Sequence, residues 1–341
     1  MRHFLAKFFS CFLWSVFFAH VVLASSQAEE LLDITRPTCV HDLAFLDETG
    51  RKESYEDTFH ETQAMFGEKD TLFGVYLLKV NAVPVAAHAL CAHNHNGYLV
   101  AEGMTDVLES HQGRRYGTIL RMEAAKLAQS AIESKRIFMM NECPMTLDYL
   151  YSTNEWLWGE NHPSLKSSLN AGYGVACVSS HLGLAHLLYP KNEAMWADER
   201  VNHLMDASAL IYKAHQKGRS LTHDVRSHEQ IPFDQSVEII DHFRCIINDL
   251  NLDKDHDVIS LLSLLSFLLT KGEGLGARRV VEEYCSALDD ARAHQMVRLL
   301  CEQDGPEPRF PGKLTRYFSV RMPNALNCPG LLPLLERESK A

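Results

Sequence analysis

Residues Val107 to Thr118 (VLESHQGRRYGT) carry the residue types of this chain best suited to chemistry. A strand there runs into a loop holding Gly113 and Gly117, and the loop opens a helix. Loop amides and a helix N-terminus converge on anions, because unpaired N–H groups and the helix dipole both favour negative charge. Gln112, Arg114 and Arg115 add donors or positive charge, so a diphosphate is a physically reasonable occupant. An ordinary strand-to-helix connection with a solvated basic patch would use the same residues. Just upstream, Glu102, Asp106 and Glu109 offer carboxylates that could take a proton from an ammonium group. Strand alternation puts Glu102 and Asp106 on one face and Glu109 on the other. His93 and His95 flank Asn96-Gly97 without a carboxylate or thiol at metal-site spacing, so they read as solvated turn histidines and no metal is expected. His181, His186, His203 and His215 are expected on helices.

The elements that must position these groups follow from apolar periodicity. Gly74 to Val80 and Val83 to Ala92 read as strands of a hairpin broken at Asn81 and Ala82. Asn96-Gly97 suits a second tight turn, into a strand from Tyr98 to Leu108. Thr118 to Ser134 has helical spacing, with Leu120, Ala124, Leu127 and Ala131 on one face and Arg121, Lys126 and Gln129 expected to face water. Lys135 to Asn141 reads as a buried strand, Ser164 to Asn170 as a short helix after Pro163 and ended by Gly172, and Val175 to Ser179 as a further strand. This is an α/β order in which one helix crosses between strands that can lie parallel.

QGRRYGTILRMEAAKLA, from Gln112, resembles the acyl-coenzyme A loop and following helix of the GNAT superfamily of N-acetyltransferases. NHPSLKSSLNAGY is similar to the next landmark of that family, with Asn161, Ser164, Gly172 and Tyr173 in register. DITRPTCVHDLAFLDE, from Asp33, resembles the opening strand and helix, and YLLKVNAVPVAAHAL the second and third strands. The resemblance covers about residues 34–190, within an expected domain of residues 31–190. It implies a mixed β-sheet flanked by helices and splayed open between its fourth and fifth strands, with pantetheine in the gap. Backbone groups of Val107, Leu108 and Glu109 would pair with the pantetheine amides. Those of Gln112, Gly113, Arg114, Arg115, Tyr116, Gly117 and Thr118 would hold the pyrophosphate of acetyl-coenzyme A, with Asn161 also at the cofactor site. Glu102 stands close to the family's catalytic glutamate, and the acceptor would be an amine-bearing small molecule or protein.

Three departures from the pattern are visible. Arg115 occupies the first glycine position, and Ser168 occupies the position of a tyrosine that protonates the leaving thiolate, which leaves its hydroxyl as the general-acid candidate. Residues Glu142 to Glu160 form an insertion carrying Tyr149, Tyr151, Trp156 and Trp158, readable as an acceptor pocket or as a hydrophobic flap.

Composition bounds the rest. The chain has 341 residues, 46% hydrophobic and 23% charged, which is globular. Thirty-three basic against forty-four acidic residues give a charge of −11, so nucleic acid is not an expected partner. Residues 1–28 read as a signal peptide or membrane anchor: Arg2 and Lys7 precede an apolar run from Phe8 to Ala24, followed by small residues. This points to a secreted, periplasmic or membrane-anchored protein, or one delivered into another cytosol. The cysteines lie far apart and read mostly as small buried residues. Residues 194–341 read as a helical domain: Ala194 to Lys217, Ser236 to Leu250, Asp257 to Lys271 and Ala277 to Glu302, then a proline-rich tail. Val258 to Leu269 is expected to be a core helix, with Ser260, Ser263 and Ser266 along it. The leading expectation is a coenzyme A-dependent N-acetyltransferase. The second is an exported or membrane-tethered interaction protein on a similar scaffold that does not catalyse, motivated by Arg115, Ser168 and the apolar N-terminus.

Overall fold

The structure is a computed structural model that describes residues 31–66, 72–95, 98–140, 142–155, 161–179, 184–219, 230–270 and 275–287. Residues 1–28, the Asn96-Gly97 turn, Trp156, Trp158, His181, the C-terminal part of the last expected helix and the proline-rich tail lie outside them, as does the side chain of His95.

Strands β1 (Leu32–Thr35), β2 (Gly74–Val80), β3 (Val83–His95) and β4 (Tyr98–Val107) pair in series, all antiparallel. The β2–β3 connection has positive φ at both Asn81 (51°) and Ala82 (68°), the backbone of a type I′ turn that matches the twist of the flanking strands. Helix α1 (Lys52–Phe66), preceded by a 3-10 helix over Val40–Thr49, covers one sheet face; α2 (Tyr116–Glu133) covers the other. Helix α2 then crosses to the hairpin of β5 (Ile137–Met140) and β6 (Cys143–Glu155), which sets β6 parallel beside β4. Helix α3 (His162–Asn170), β7 (Gly174–Ser179) and β8 (Leu184–Tyr189) complete an eight-stranded mixed sheet of order β1-β2-β3-β4-β6-β8-β7, with β5 on β6. The fold is thus the expected mixed α/β sheet flanked by helices.

Several expectations are corrected. Lys135 to Asn141 does hold a strand, β5, but it is buried on one face only: Phe138 and Met140 are buried, whereas Ile137 and Met139 are exposed, with β5 bonded on β6 alone. Most of the supposed insertion at Glu142 to Glu160 is β6 itself, the strand that joins the two halves of the sheet. Its buried alternate positions include Ser152 and Asn154, so polar residues hid the strand period. His186 lies on β8 rather than on a helix, whereas His203 and His215 do lie on a helix. Cys39, Cys143 and Cys245 are exposed and Cys91 and Cys177 half-buried, so these thiols are not core residues.

The remaining described helices are α4 (Asp198–Gln216), α5 (Phe233–Asn248), α6 (Asp255–Thr270) and α7 (Arg278–Ala287). They share a continuous apolar cluster with the sheet and α2. The Val178 amide donates to Ser260 Oγ at 3.2 Å, so one serine of α6 satisfies the sheet edge at β7. The Trp196 amide donates to the Val175 carbonyl at 2.8 Å, and buried Arg200 of α4 meets Asp249 and Asp257 at 3.0 and 3.3 Å. Among the described residues no helix is long and apolar enough to cross a membrane.

Candidate functional site

The parallel ladder between β4 and β6 is short. It pairs Leu99 with Leu147, Val100 with Tyr149, Ala101 with Leu150 and Glu102 with Tyr151. Beyond that last rung the strands part: β4 continues to Val107 on β3 alone, and β6 continues to Glu155 on β8 alone. Past Glu102 and Tyr151 the two strands make no ladder bonds to each other, so their facing edges border the gap. A cleft of about 1410 Å³ occupies the gap, lined by Glu102 to Val107 on one side and Ser152, Thr153 and Asn154 on the other. It exceeds the roughly 300–1,000 Å³ of ordinary small-molecule pockets.

The loop after β4 closes one end. Helix α2 starts at Tyr116 with no side-chain cap among the described residues and no acidic residue in its first turn, an N-terminus whose dipole favours an anion. Gly113 and Arg115 both have positive φ, 79° and 66°. Arg115 therefore adopts the left-handed backbone that makes glycine common at such a position, at a steric cost of roughly 1–2 kcal/mol. At Gly117 a Cβ would make ordinary contacts, 3.6 Å from Thr105 and Val107 and 3.7 Å from Ser167, and so would fill the space between β4 and α3. A helix N-terminus without a side-chain cap, a glycine beside it and strand edges that part suit an elongated ligand with an anionic end.

Of the residues expected at the cofactor site, Val107, Gln112, Gly113, Arg115, Tyr116, Gly117, Thr118 and Asn161 line the cleft. Leu108, Glu109 and Arg114 are not among its lining residues. The Leu108 amide is taken by the Val85 carbonyl at 3.0 Å, and the Val107 carbonyl accepts from Gln112 Nε2 at 3.3 Å. Glu109 is exposed in a short 3-10 turn beyond the strand. Ser168 is fully buried, away from the lining, with no hydrogen-bond partner for its hydroxyl, because α3 turns Ser164 and Ser167 to the cleft instead. Ser167 Oγ meets Thr118 Oγ1 at 3.0 Å, tying α3 to α2.

On the α1 side of the sheet, Glu102 lines the cleft with half of its side chain exposed and His93 Nε2 at 3.3 Å. Asp106 shares that face, accepting from Tyr55 Oη at 3.0 Å. Opposite Glu102, the Tyr151 hydroxyl meets His186 Nδ1 at 2.7 Å; burial, then the Glu102 carboxylate and Cys177, push its pKa up to about 12. Tyr151 thus stays a neutral phenol.

Two further groups were not legible as site residues. Arg121, expected in water, is 6% exposed and lines the cleft, donating to the Ser164 carbonyl and to Ser164 Oγ, both at 2.9 Å. Its position belongs to the buried stripe of Leu120, Ala124 and Ala128, the periodic signal that could have revealed it. Beneath the cleft, His88 Nδ1 meets Thr105 Oγ1 at 2.7 Å. Burial and the charge of Arg121 hold the His88 pKa down at about 3, so it is neutral.

Among the described residues no group of three or more His, Cys, Asp or Glu could hold a metal ion. No protein-family model matches the chain, and no curated protein matches it. Solved structures of similar fold include an acetyltransferase of the GNAT family from Streptococcus pneumoniae, at 14% identity and TM-score 0.35, covering 47% of this chain and 97% of that one. The yncA protein of Salmonella typhimurium with acetyl-CoA has 13% identity and TM-score 0.36, covering 48% and 95%. A spermidine/spermine N-acetyltransferase from Vibrio cholerae has 11% identity and TM-score 0.34, covering 46% and 93%.

Proposed function

We propose that the chain is an N-acyltransferase that takes an acyl group from a coenzyme A thioester, acetyl-coenzyme A being the simplest, and passes it to a primary amine. The observation that carries this reading is the parting of β4 from β6 after the Glu102–Tyr151 rung, beside the uncapped N-terminus of α2. The gap opens to both sheet faces, with the anion-suited loop on one and Glu102 and Asp106 on the other. A thioester laid through it would bring its carbonyl within reach of an amine on the carboxylate side.

The thioester supplies an activated acyl carbon. The ammonium acceptor first gives a proton to a base, for which Glu102 is the candidate, and the free amine attacks. A C–N bond forms, the C–S bond breaks, the nitrogen loses a second proton and the thiolate takes one up, so one proton is released overall. Since Ser168 is turned away, water is the proton source for a thiolate whose conjugate acid has a pKa of roughly 8.5. The loop amides from Gln112 to Thr118 and Arg115 would hold the diphosphate, with Asn161 at the mouth.

Calorimetric titration of the purified chain with acetyl-coenzyme A and with coenzyme A tests the reading, followed by turnover against amine panels. Binding with turnover supports it. Binding without turnover favours the alternative, an exported or membrane-tethered interaction protein on this scaffold that does not catalyse, a reading motivated by the strained Arg115 and the buried Ser168. Absence of binding refutes the acyltransferase reading and leaves that alternative. Residues 8–24 are further proposed to direct export or membrane anchoring; an intact Met1 terminus in a soluble cytosolic fraction would refute that.

A further inference from the structure

Two arginines among the described residues are almost wholly buried, and the fold treats them differently. Arg200 lies between two carboxylates, Asp249 at 3.0 Å and Asp257 at 3.3 Å. Arg121 has no ion pair among the described residues; its hydrogen bonds go to the two oxygens of Ser164, both neutral. A guanidinium carries five N–H donors, so Ser164 leaves donors over. Neutral oxygens do not repay the desolvation of a buried cation, which ordinarily requires an opposite charge. Asp106 acts on Arg121 through space without forming an ion pair with it, and Arg121 also lines the cleft, so a counter-charge in direct contact has a way in.

The position of Arg121 narrows what that counter-charge is. It follows Gly117 by four residues, one helical turn and roughly 6 Å along the axis, so it lies past the loop amides suited to a diphosphate. It lines the same cleft as Thr105 and Asp106 of β4, and its charge is felt by His88, packed under Thr105. Arg121 therefore sits inside the gap rather than at its phosphate-suited mouth. Resting on the acyl-transfer reading, we infer that Arg121 binds a carboxylate at the end of the acyl group, so that the donor is the coenzyme A thioester of a short dicarboxylic acid rather than acetyl-coenzyme A. A carboxylate matches the planar fork of a guanidinium bidentately, whereas an acetyl methyl would leave the buried charge unmatched.

The test is calorimetric titration of the full chain, without acceptor, using coenzyme A, acetyl-coenzyme A, malonyl-coenzyme A and succinyl-coenzyme A. Malonyl- or succinyl-coenzyme A is expected to bind at least about tenfold more tightly than acetyl-coenzyme A, the least that a charge-assisted pair supplies. Arg121→Met should erase that preference while leaving coenzyme A affinity within about twofold. Equal affinity of the wild-type chain for all three thioesters overturns the inference, and that arm needs no variant to fold. Equal losses for coenzyme A and the dicarboxylic thioesters in Arg121→Met would assign the arginine to a phosphate and overturn it too. Failure of coenzyme A itself to bind removes the acyl-transfer reading, an outcome distinct from equal binding.

Discussion

Glu102 and Tyr151 face one another across the last rung of the β4–β6 ladder, and beyond them the two strands share no pairing. A carboxylate and a neutral phenol therefore stand together at the point where the sheet opens. Each has a histidine partner, His93 for Glu102 at 3.3 Å and His186 for Tyr151 at 2.7 Å. Of this pair Glu102 lines the cleft, and on β6 the lining begins at the next residue, Ser152.

If Glu102 takes the proton of the ammonium acceptor, Glu102→Gln lowers kcat/KM by about 10²–10⁴ and leaves coenzyme A affinity unchanged. The deficit shrinks as pH rises toward the pKa of a lysine-like amine, about 10.4, because a free amine needs no base. Initial rates from pH 6.5 to 10 measure it. A variant as active as wild type throughout would shift the role to Asp106 or water.

Arg115 couples strain to binding. Arg115→Gly relieves a left-handed backbone and is expected to raise stability by about 1 kcal/mol in urea unfolding. The same change removes a cationic side chain from the cleft lining, and coenzyme A affinity should fall about tenfold. Opposite signs in the two measurements identify Arg115 as a residue retained for its ligand.

Ala82→Gly is the matching control. Ala82 has φ of 68° in the β2–β3 turn, so glycine should again add about 1 kcal/mol of stability. Ala82 is not among the cleft residues, and coenzyme A affinity should stay within experimental scatter of wild type. A change in affinity would mean that the turn and the cleft are coupled.

Most of the frame was legible because its elements carry strong periods. The hairpin at Asn81 and Ala82, the strand into the glycine loop and the helix after it follow from local sequence, and Gly113 and Gly117 pointed to the cleft. What escaped were polar residues that the fold buries, at the cleft or in the core. Strand β6 was hidden because Ser152 and Asn154, its buried positions beyond the last rung, face a polar cleft rather than an apolar core. Arg121 was assigned to water because its charge outweighed its place in the helical stripe. Ser168 matched a motif position, yet the phase of α3 turns it into the core. In each case a residue's type and its burial disagree, a conflict that tertiary structure alone resolves.

His88 gives the last prediction, in acid. Its folded pKa of about 3 lies below the ordinary histidine value of 6.5 because burial and the Arg121 charge disfavour the imidazolium. Between those two values the unfolded chain binds a proton that the folded chain refuses, so His88 contributes stability above pH 6.5 that is lost as pH falls toward 3. His88→Asn retains an amide able to reach the Thr105 hydroxyl but cannot titrate. It also removes volume and so begins less stable at pH 7.5. On acidification below about pH 6.5, the stability of the wild type relative to His88→Asn should fall by about 1.4 kcal/mol per pH unit, the effect of one proton. Urea unfolding of both proteins at half-unit steps from pH 7.5 to 4.5 measures that difference. A difference that stays constant would mean that His88 titrates alike in the folded and unfolded chains, and a ring kept neutral in acid would then no longer underlie Thr105 at the floor of the cleft.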